Sequence, residues 1–348
     1  MESNNNTQPS KDSIVNSESS APKESPIEFS SRLDLETFNT SIHQIREQLS
    51  SVIVGQKKLI DLLIVALLSR GHVLLEGVPG VAKTLTIKSL AKTLGIEFSR
   101  IQFTPDLMPS DILGTSVFNL KSSEFTFKKG PIFSNTILID EINRAPAKTQ
   151  AALFEVMEEY QITIDGTTYP LAQPFIVMAT QNPIDQEGTY RLPEAQLDRF
   201  LFKLKVDYPT LEEELTILEH ENAFKGFDKT IELSAILDRQ KIKELQDITK
   251  QVIIEKPLIE YIGKIIHNTR NNPFLFLGAS PRASIALLNS SKAYALLEGR
   301  DFVTPEDIKQ LVTPVLRHRI HITPEREMEG MTAEHIIDQI IEQIEIPR

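Results

Sequence analysis

The chain has 348 residues, 41% of them hydrophobic and 24% charged, with a net charge of −11. That length suits about two domains of a globular protein, and the acidic balance argues against a broad nucleic-acid-binding face, leaving room only for a local basic pore. The absence of cysteine excludes disulfides, thiolate metal sites and a cysteine nucleophile, and suits a reducing compartment.

Residues 1–34 are rich in Ser, Asn, Pro, Glu and Lys and poor in apolar residues, so they bury too little surface to offset their ordering entropy. A disordered tail is expected there, either a solvating extension or a docking segment. No apolar run reaches the length of a bilayer span and the polar N-terminus lacks a signal-peptide core, so a cytoplasmic protein without a transmembrane segment is expected. Leu35, Phe38, Ile42, Ile45 and Leu49 recur at threes and fours, one face of an amphipathic helix, and a second helix covers Gln56–Ser69.

The run His72–Glu76 predicts a buried strand. It breaks into Gly77-Val78-Pro79-Gly80-Val81-Ala82, after which Lys83, Thr84 and Leu85 open a helix to about Leu94. Strand, glycine loop, Lys-Thr and helix form a phosphate cradle: backbone N–H groups point at phosphate oxygens, Lys83 reaches the β- and γ-phosphates, and the Thr84 hydroxyl serves Mg²⁺. The usual pattern has glycine where this chain has Ala82, which tolerates positive φ poorly.

Further strands are expected at Glu97–Phe103, Thr136–Asp140, Phe175–Thr180 and Phe202–Val206, with helices at Ala147–Glu159 and Pro193–Phe200. Strands alternating with helices imply a parallel sheet covered on both faces. Phe125–Lys128 and Gln161–Thr163, near Gly166, predict short hairpin arms. The strand Thr136–Asp140 ends in Asp140-Glu141, where an α/β sheet places its ligands. Asp140 suits Mg²⁺, and Glu141 suits a general base for water. The next strand ends at Asn182-Pro183, an amide able to orient that water or a simple turn. Arg199 ends the predicted helix, and Arg282 opens a later one. Each is either a surface ion-pair residue or a cation for a transferring γ-phosphate, one often supplied by a neighbouring subunit.

Beyond Tyr208-Pro209-Thr210 no strand is predicted. Helices are expected at Leu211–Ala223, Lys241–Thr249, Pro257–Asn271, Pro281–Glu298, Pro305–Arg317 and Ala333–Ile344. The boundaries are a tail over 1–34, an α/β core over 35–208, a linker and connecting helix over 209–235, and a separate all-α domain over 236–348. His318 and His321 read as a solvated helix end.

With these elements in order the chain resembles the MoxR family of AAA+ ATPases over roughly residues 38–322. The segments Gly77–Thr84, Ile101–Gly114, Gly130–Glu158 and Ala179–Phe200 carry the resemblance, and Ala82 is a variant of that family. The resemblance implies a P-loop NTPase αβα core of AAA+ type followed by an all-α lid. Lys83 and Thr84 would be Walker A residues, Asp140 and Glu141 Walker B, Asn182 sensor 1, Arg199 the arginine finger and Arg282 sensor 2 acting in its own subunit. Val54-Gly55-Gln56 would line the adenine pocket. Arg144 is a second arginine able to act across an interface, and Arg191 stands where the family pattern has proline. The implied activity is hydrolysis of ATP with Mg²⁺ in a hexameric ring that remodels, matures or activates client proteins, with a von Willebrand factor A domain protein as expected partner and no nucleic acid. The alternatives are an ATP-gated assembly module with little turnover, or a metal-chelatase-like ATPase subunit.

Overall fold

A computed structural model of the chain describes Met1 and residues 35–78, 80–121, 123–182, 190–223 and 229–347. The tail expected over 1–34 lies, Met1 apart, outside the described residues. Helix α1 (Glu36–Ser50) forms on the predicted stripe, with Leu35, Phe38, Ile42, Ile45 and Leu49 all buried. Helix α2 (Lys57–Leu68) is buried without a break from Leu62 to Leu68, because α1, the sheet and later helices enclose it on all sides.

The α/β part then runs β1 (His72–Gly77), α3 (Lys83–Thr93), β2 (Phe98–Gln102), α4 (Pro109–Leu113), β3 (Gly114–Asn119), β4 (Glu124–Lys129), β5 (Thr136–Asp140), α5 (Ala147–Glu159), β6 (Gln161–Ile164), β7 (Thr167–Pro170), β8 (Ile176–Gln181), α6 (Glu194–Leu197) and β9 (Phe200–Val206). Five strands form one parallel sheet in the order β2-β5-β8-β1-β9. Alternate residues feed two cores. Val73, Leu75, Leu138, Ile176 and Met178 face the cluster that includes α1, α2 and the C-terminal helices. Leu74, Ile137, Ile139, Val177 and Ala179 face α5, where the Phe154 ring meets that of Phe200 edge-on at 5.8 Å. The chain leaves β1 in one direction to reach β2 and later crosses β1 to place β9, so the carboxyl end of β1 is the crevice where such sheets bind ligands.

The expected arms are the hairpins β3–β4 and β6–β7; the second turns through Asp165 and Gly166, both at positive φ, a two-residue turn that matches strand twist. The Ser116 hydroxyl donates to Asp165 at 2.6 Å, and Phe127 stacks on Tyr169 at 4.4 Å, fastening the arms together.

The helical part comprises α7 (Leu211–Ala223), α8 (Arg239–Gln251), α9 (Lys256–Arg270), α10 (Pro281–Leu297), α11 (Pro305–Leu316), α12 (Pro324–Met328) and α13 (Ala333–Gln343), with strands β10 (Leu275–Leu277) and β11 (His321–Ile322). Three expectations are corrected by the structure. Strands do occur beyond Tyr208: β10 and β11 pair antiparallel. The His318 end of α11 is not solvated. His318 is buried, its Nε2 lies 3.0 Å from the Phe200 carbonyl oxygen, and burial beside Arg319 pushes its pKa well below the usual value. The apolar cluster on this face of the sheet runs without a break into α8–α11 and α13, so the helices share a core with the sheet.

The predicted helix Pro193–Phe200 is also shorter than expected, and β9 begins at Phe200. Arg319 explains this. Its buried guanidinium donates to the carbonyl oxygens of Asp198, Phe200 and Leu201 and to the Asp198 carboxylate, occupying acceptors that a longer helix would need.

Candidate functional site

The phosphate loop follows β1 at the carboxyl edge of the sheet. Gly77 is demanded by packing, because a Cβ there would run into the Val206 carbonyl of β9, whereas a Cβ on Gly80 (φ +88°) would meet open space. Ala82 sits in the left-handed region at φ 57°, so this chain adopts with alanine the conformation that glycine takes without strain. Pro79 lies outside the described residues. Lys83 donates from Nζ to the Gly77 carbonyl oxygen at 2.6 Å. Burial lowers its pKa, and the nearby carboxylates of Asp140, Glu141 and Glu76 oppose that shift. The segment Val54-Gly55-Gln56 lies against this loop: Gln56 Nε2 donates to the Val81 carbonyl at 2.9 Å, and the Thr86 hydroxyl donates to Gln56 Oε1 at 3.0 Å. A cavity of about 400 Å³ opens beside Gly55 and Gln56, large enough for part of a small ligand.

Asp140 and Glu141 end β5 at the same edge. The Thr180 hydroxyl of β8 donates to Asp140 Oδ1 at 3.2 Å and accepts from the Glu141 backbone N–H at 3.0 Å. Asp140 Oδ2 accepts from Arg100 Nε on β2 at 2.6 Å. Glu141 has φ 58° and ψ 53°, a left-handed conformation that turns its side chain away from the strand direction. Its carboxylate takes Gln102 Nε2 at 3.1 Å and Arg144 Nη1 at 3.2 Å. Arg144 thus pairs with the Glu141 of its own subunit. Asn182 stands half-buried two residues beyond Thr180. Lys83, Thr84, Asp140, Glu141 and Asn182 are therefore brought to one edge.

Among the described residues no cluster of three His, Cys, Asp or Glu side chains could cage a metal. One carboxylate, Asp140, and one hydroxyl, Thr84, suit Mg²⁺ that arrives with phosphate oxygens and keeps several waters.

Arg199 and Arg282 lie elsewhere. Arg199 directly precedes β9, and Phe200 pairs with His72 at the opposite end of β1 from Gly77. Arg199 and Arg282 both bind Glu158, in the last turn of α5, at 2.6 and 2.7 Å. Roughly 16 Å of strand separates this edge from the phosphate loop, at about 3.3 Å per residue. Arg282, expected to act within its own subunit, lies with Arg199 at the amino-terminal edge, away from that subunit's phosphate loop. Arg191 is exposed, and its neighbour Tyr190 donates its backbone N–H to the Asn143 carbonyl oxygen at 2.6 Å, two residues beyond Glu141.

Sequence reasoning missed Arg100, Gln102, Thr180, Glu158 and Arg319. Alternation along β2 could have flagged Arg100 and Gln102 as a polar pair on one face; Glu158 and Arg319 left no local signal.

The parallel sheet, the phosphate loop at its switch point and the adjoining helices define a P-loop nucleotide-binding fold with a helical lid. The chain matches the ATPase family associated with various cellular activities (AAA) over residues 72–202 and the AAA lid domain over residues 267–340. It is 48% identical over 301 residues to the uncharacterized protein YeaC of Bacillus subtilis, covering 86% of this chain and 93% of the relative. It is 41% identical to the Chaperone MoxR1 of Mycobacterium tuberculosis, covering 90% of this chain and 84% of the relative. The crystal structure of a presumed ATPase from Cytophaga hutchinsonii superposes with a TM-score of 0.83 at 43% identity, covering 89% of this chain and 96% of that one. The chain belongs to the MoxR family of AAA+ ATPases.

Proposed function

We infer that the protein hydrolyses ATP at a site shared by adjacent subunits of a ring, hexameric by family resemblance, and uses the cycle to remodel, mature or activate partner proteins. One observation carries the reading of a shared site. The phosphate loop with its acidic pair occupies one edge of the sheet, and the two arginines suited to a γ-phosphate occupy the other. That separation within one subunit supports a site completed by the arginines of a neighbour. The relative named as a chaperone supports the remodelling role, and a von Willebrand factor A domain protein remains the proposed class of partner. Residues 35–208 would be the nucleotide-binding core, 209–235 the connection and 236–348 the lid.

In this mechanism the loop N–H groups and the start of α3 hold the phosphates. Lys83 leaves the Gly77 carbonyl for the β- and γ-phosphates, and Val54 and Gly55 flank the adenine. Thr84 and Asp140 would hold Mg²⁺, which offsets charge on the phosphate oxygens. Glu141 takes a proton from the attacking water, and Asn182 orients that water. Arg199 and Arg282 of the neighbour stabilise the charge that develops on the γ-phosphoryl group.

The deciding test pairs nucleotide binding with steady-state turnover. Lys83→Ala should lose ATP binding. Glu141→Gln should bind ATP and hydrolyse it at least ~100-fold more slowly, as expected for loss of a general base. Unchanged turnover in Glu141→Gln would sink the assignment, and negligible turnover in the unmodified assembly would favour an ATP-gated binding module.

A further inference from the structure

The carboxylate of Glu158 is divided between two cations. Oε2 accepts from Arg199 Nη2 at 2.6 Å and Oε1 accepts from Arg282 Nη2 at 2.7 Å. The first arginine comes from the start of β9 and the second from the first turn of α10, so one anion joins the sheet to the lid. Two guanidinium groups this close repel each other, and the shared carboxylate offsets that repulsion. Each guanidinium carries five N–H donors and spends one on Glu158. The Arg199 Nε is buried with no partner, and its guanidinium carbon lies 6.0 Å from the Phe154 ring centroid. The frame behind the pair is held as well: Asp198 accepts from the Ser280 hydroxyl at 2.9 Å and from Arg319 Nε at 2.7 Å.

We propose that Glu158 is a positioning residue for catalysis in the neighbouring subunit, joining Arg199 and Arg282 into one two-armed cation that meets the γ-phosphate across the interface. The proposal rests on the reading of the site as shared between subunits. A planar guanidinium anchored through one Nη keeps a second edge for a phosphate oxygen. Without the carboxylate the two like charges move apart, and the cost falls on preorganisation of the transition state. ATP binding depends on the other edge of the sheet and is spared.

The test uses the full chain in its assembled state, with assembly checked by native mass spectrometry. Glu158→Gln keeps shape and removes charge; its kcat should fall about tenfold or more while the KM for ATP stays within about twofold, the pattern of a lost transition-state interaction. Glu158→Asp keeps the charge at shorter reach and should recover part of the loss; it replaces Glu158→Gln in the comparison if that variant fails to assemble. Mixing supplies the readout that a purely structural role would not move. Glu141→Gln subunits should hydrolyse at least ~100-fold more slowly, but they carry an intact Glu158 and both arginines. Placed beside Glu158→Gln subunits, they should restore turnover above the sum of the separate assemblies. Absence of rescue in verified mixed rings would put the effect of Glu158 inside its own subunit and overturn the proposal. Normal kcat in Glu158→Gln with a slow Arg199→Ala would overturn it and leave the shared site standing; normal kcat in both would remove the shared site as well.

Discussion

Arg319 and Asp198 form a buried ion pair, Nε to Oδ1 at 2.7 Å, between the end of α11 and the start of β9. The arginine side chain is 3% exposed, and burial pushes its pKa down while Asp198 pushes it up. Because its other donors hold backbone carbonyls, Arg319 both ends α6 and fixes where the strand begins. Arg319→Met should destabilise the chain by about 3–5 kcal/mol, since it leaves the Asp198 carboxylate with only the Ser280 hydroxyl and removes the guanidinium donors from several buried carbonyls. Adding Asp198→Asn should return part of the loss. Urea unfolding of both variants checks this, and a loss under ~1 kcal/mol would reject it.

His72 predicts acid sensitivity. Its Nδ1 accepts from the Val177 N–H at 3.0 Å, and its Nε2 lies 3.1 Å from the Met157 carbonyl oxygen, so the ring is held neutral. Burial lowers its pKa from 6.5 to about 4. The unfolded chain therefore binds a proton that the folded chain refuses between these values. Stability should be unaffected by this group above about pH 6.5 and fall between 6.5 and 4, by roughly 3 kcal/mol at 1.36 kcal/mol per unit. His72→Gln should flatten that part of the stability–pH curve; an unchanged slope would rule out His72 as its source.

Ala82 carries backbone strain at φ 57°. Ala82→Gly should remove a cost of about 1–2 kcal/mol and add back a smaller loss of unfolded-chain freedom. The thermal midpoint should rise with little change in ATP affinity. A lower midpoint would mean that the alanine methyl makes a contact worth more than the strain.

Arg100 holds the carboxylate proposed for Mg²⁺. Arg100→Gln should lower the Mg²⁺ concentration needed for half-maximal turnover several-fold, because a guanidinium beside the site repels a dication. A Mg²⁺ titration of the ATPase rate decides it, and a higher requirement would mean that Arg100 orients Asp140.

The sheet and the phosphate edge were legible because their signals are local. Lys83 and Thr84 follow their glycines within one turn, and Asp140-Glu141 ends an unbroken apolar strand. The arms were visible in one strand each; their mates at Gly114–Asn119 and Thr167–Pro170 are mostly exposed and show no apolar–polar alternation. The arginine edge was not legible as an edge. Arg282 and Glu158 meet across 124 residues of chain, and Arg319 and Asp198 across 121. His318 was misread for the same reason, since its burial depends on β9 rather than on its own helix.

The pairing of β1 with β9 has a mechanical consequence. His72 lies opposite Phe200 and Gly77 opposite Val206, so one short pair of strands spans from the arginine residue Arg199 to the floor of the phosphate loop. A Cβ on Gly77 would strike Val206, so β9 lies directly against that floor. In the shared site proposed above, a displacement of Arg199 by a neighbour would act on the same strand that underlies the subunit's own phosphate loop. Each subunit would serve as a push-rod between two interfaces, and the order in which sites fire around a ring could be carried by this strand without any rotation of the lid.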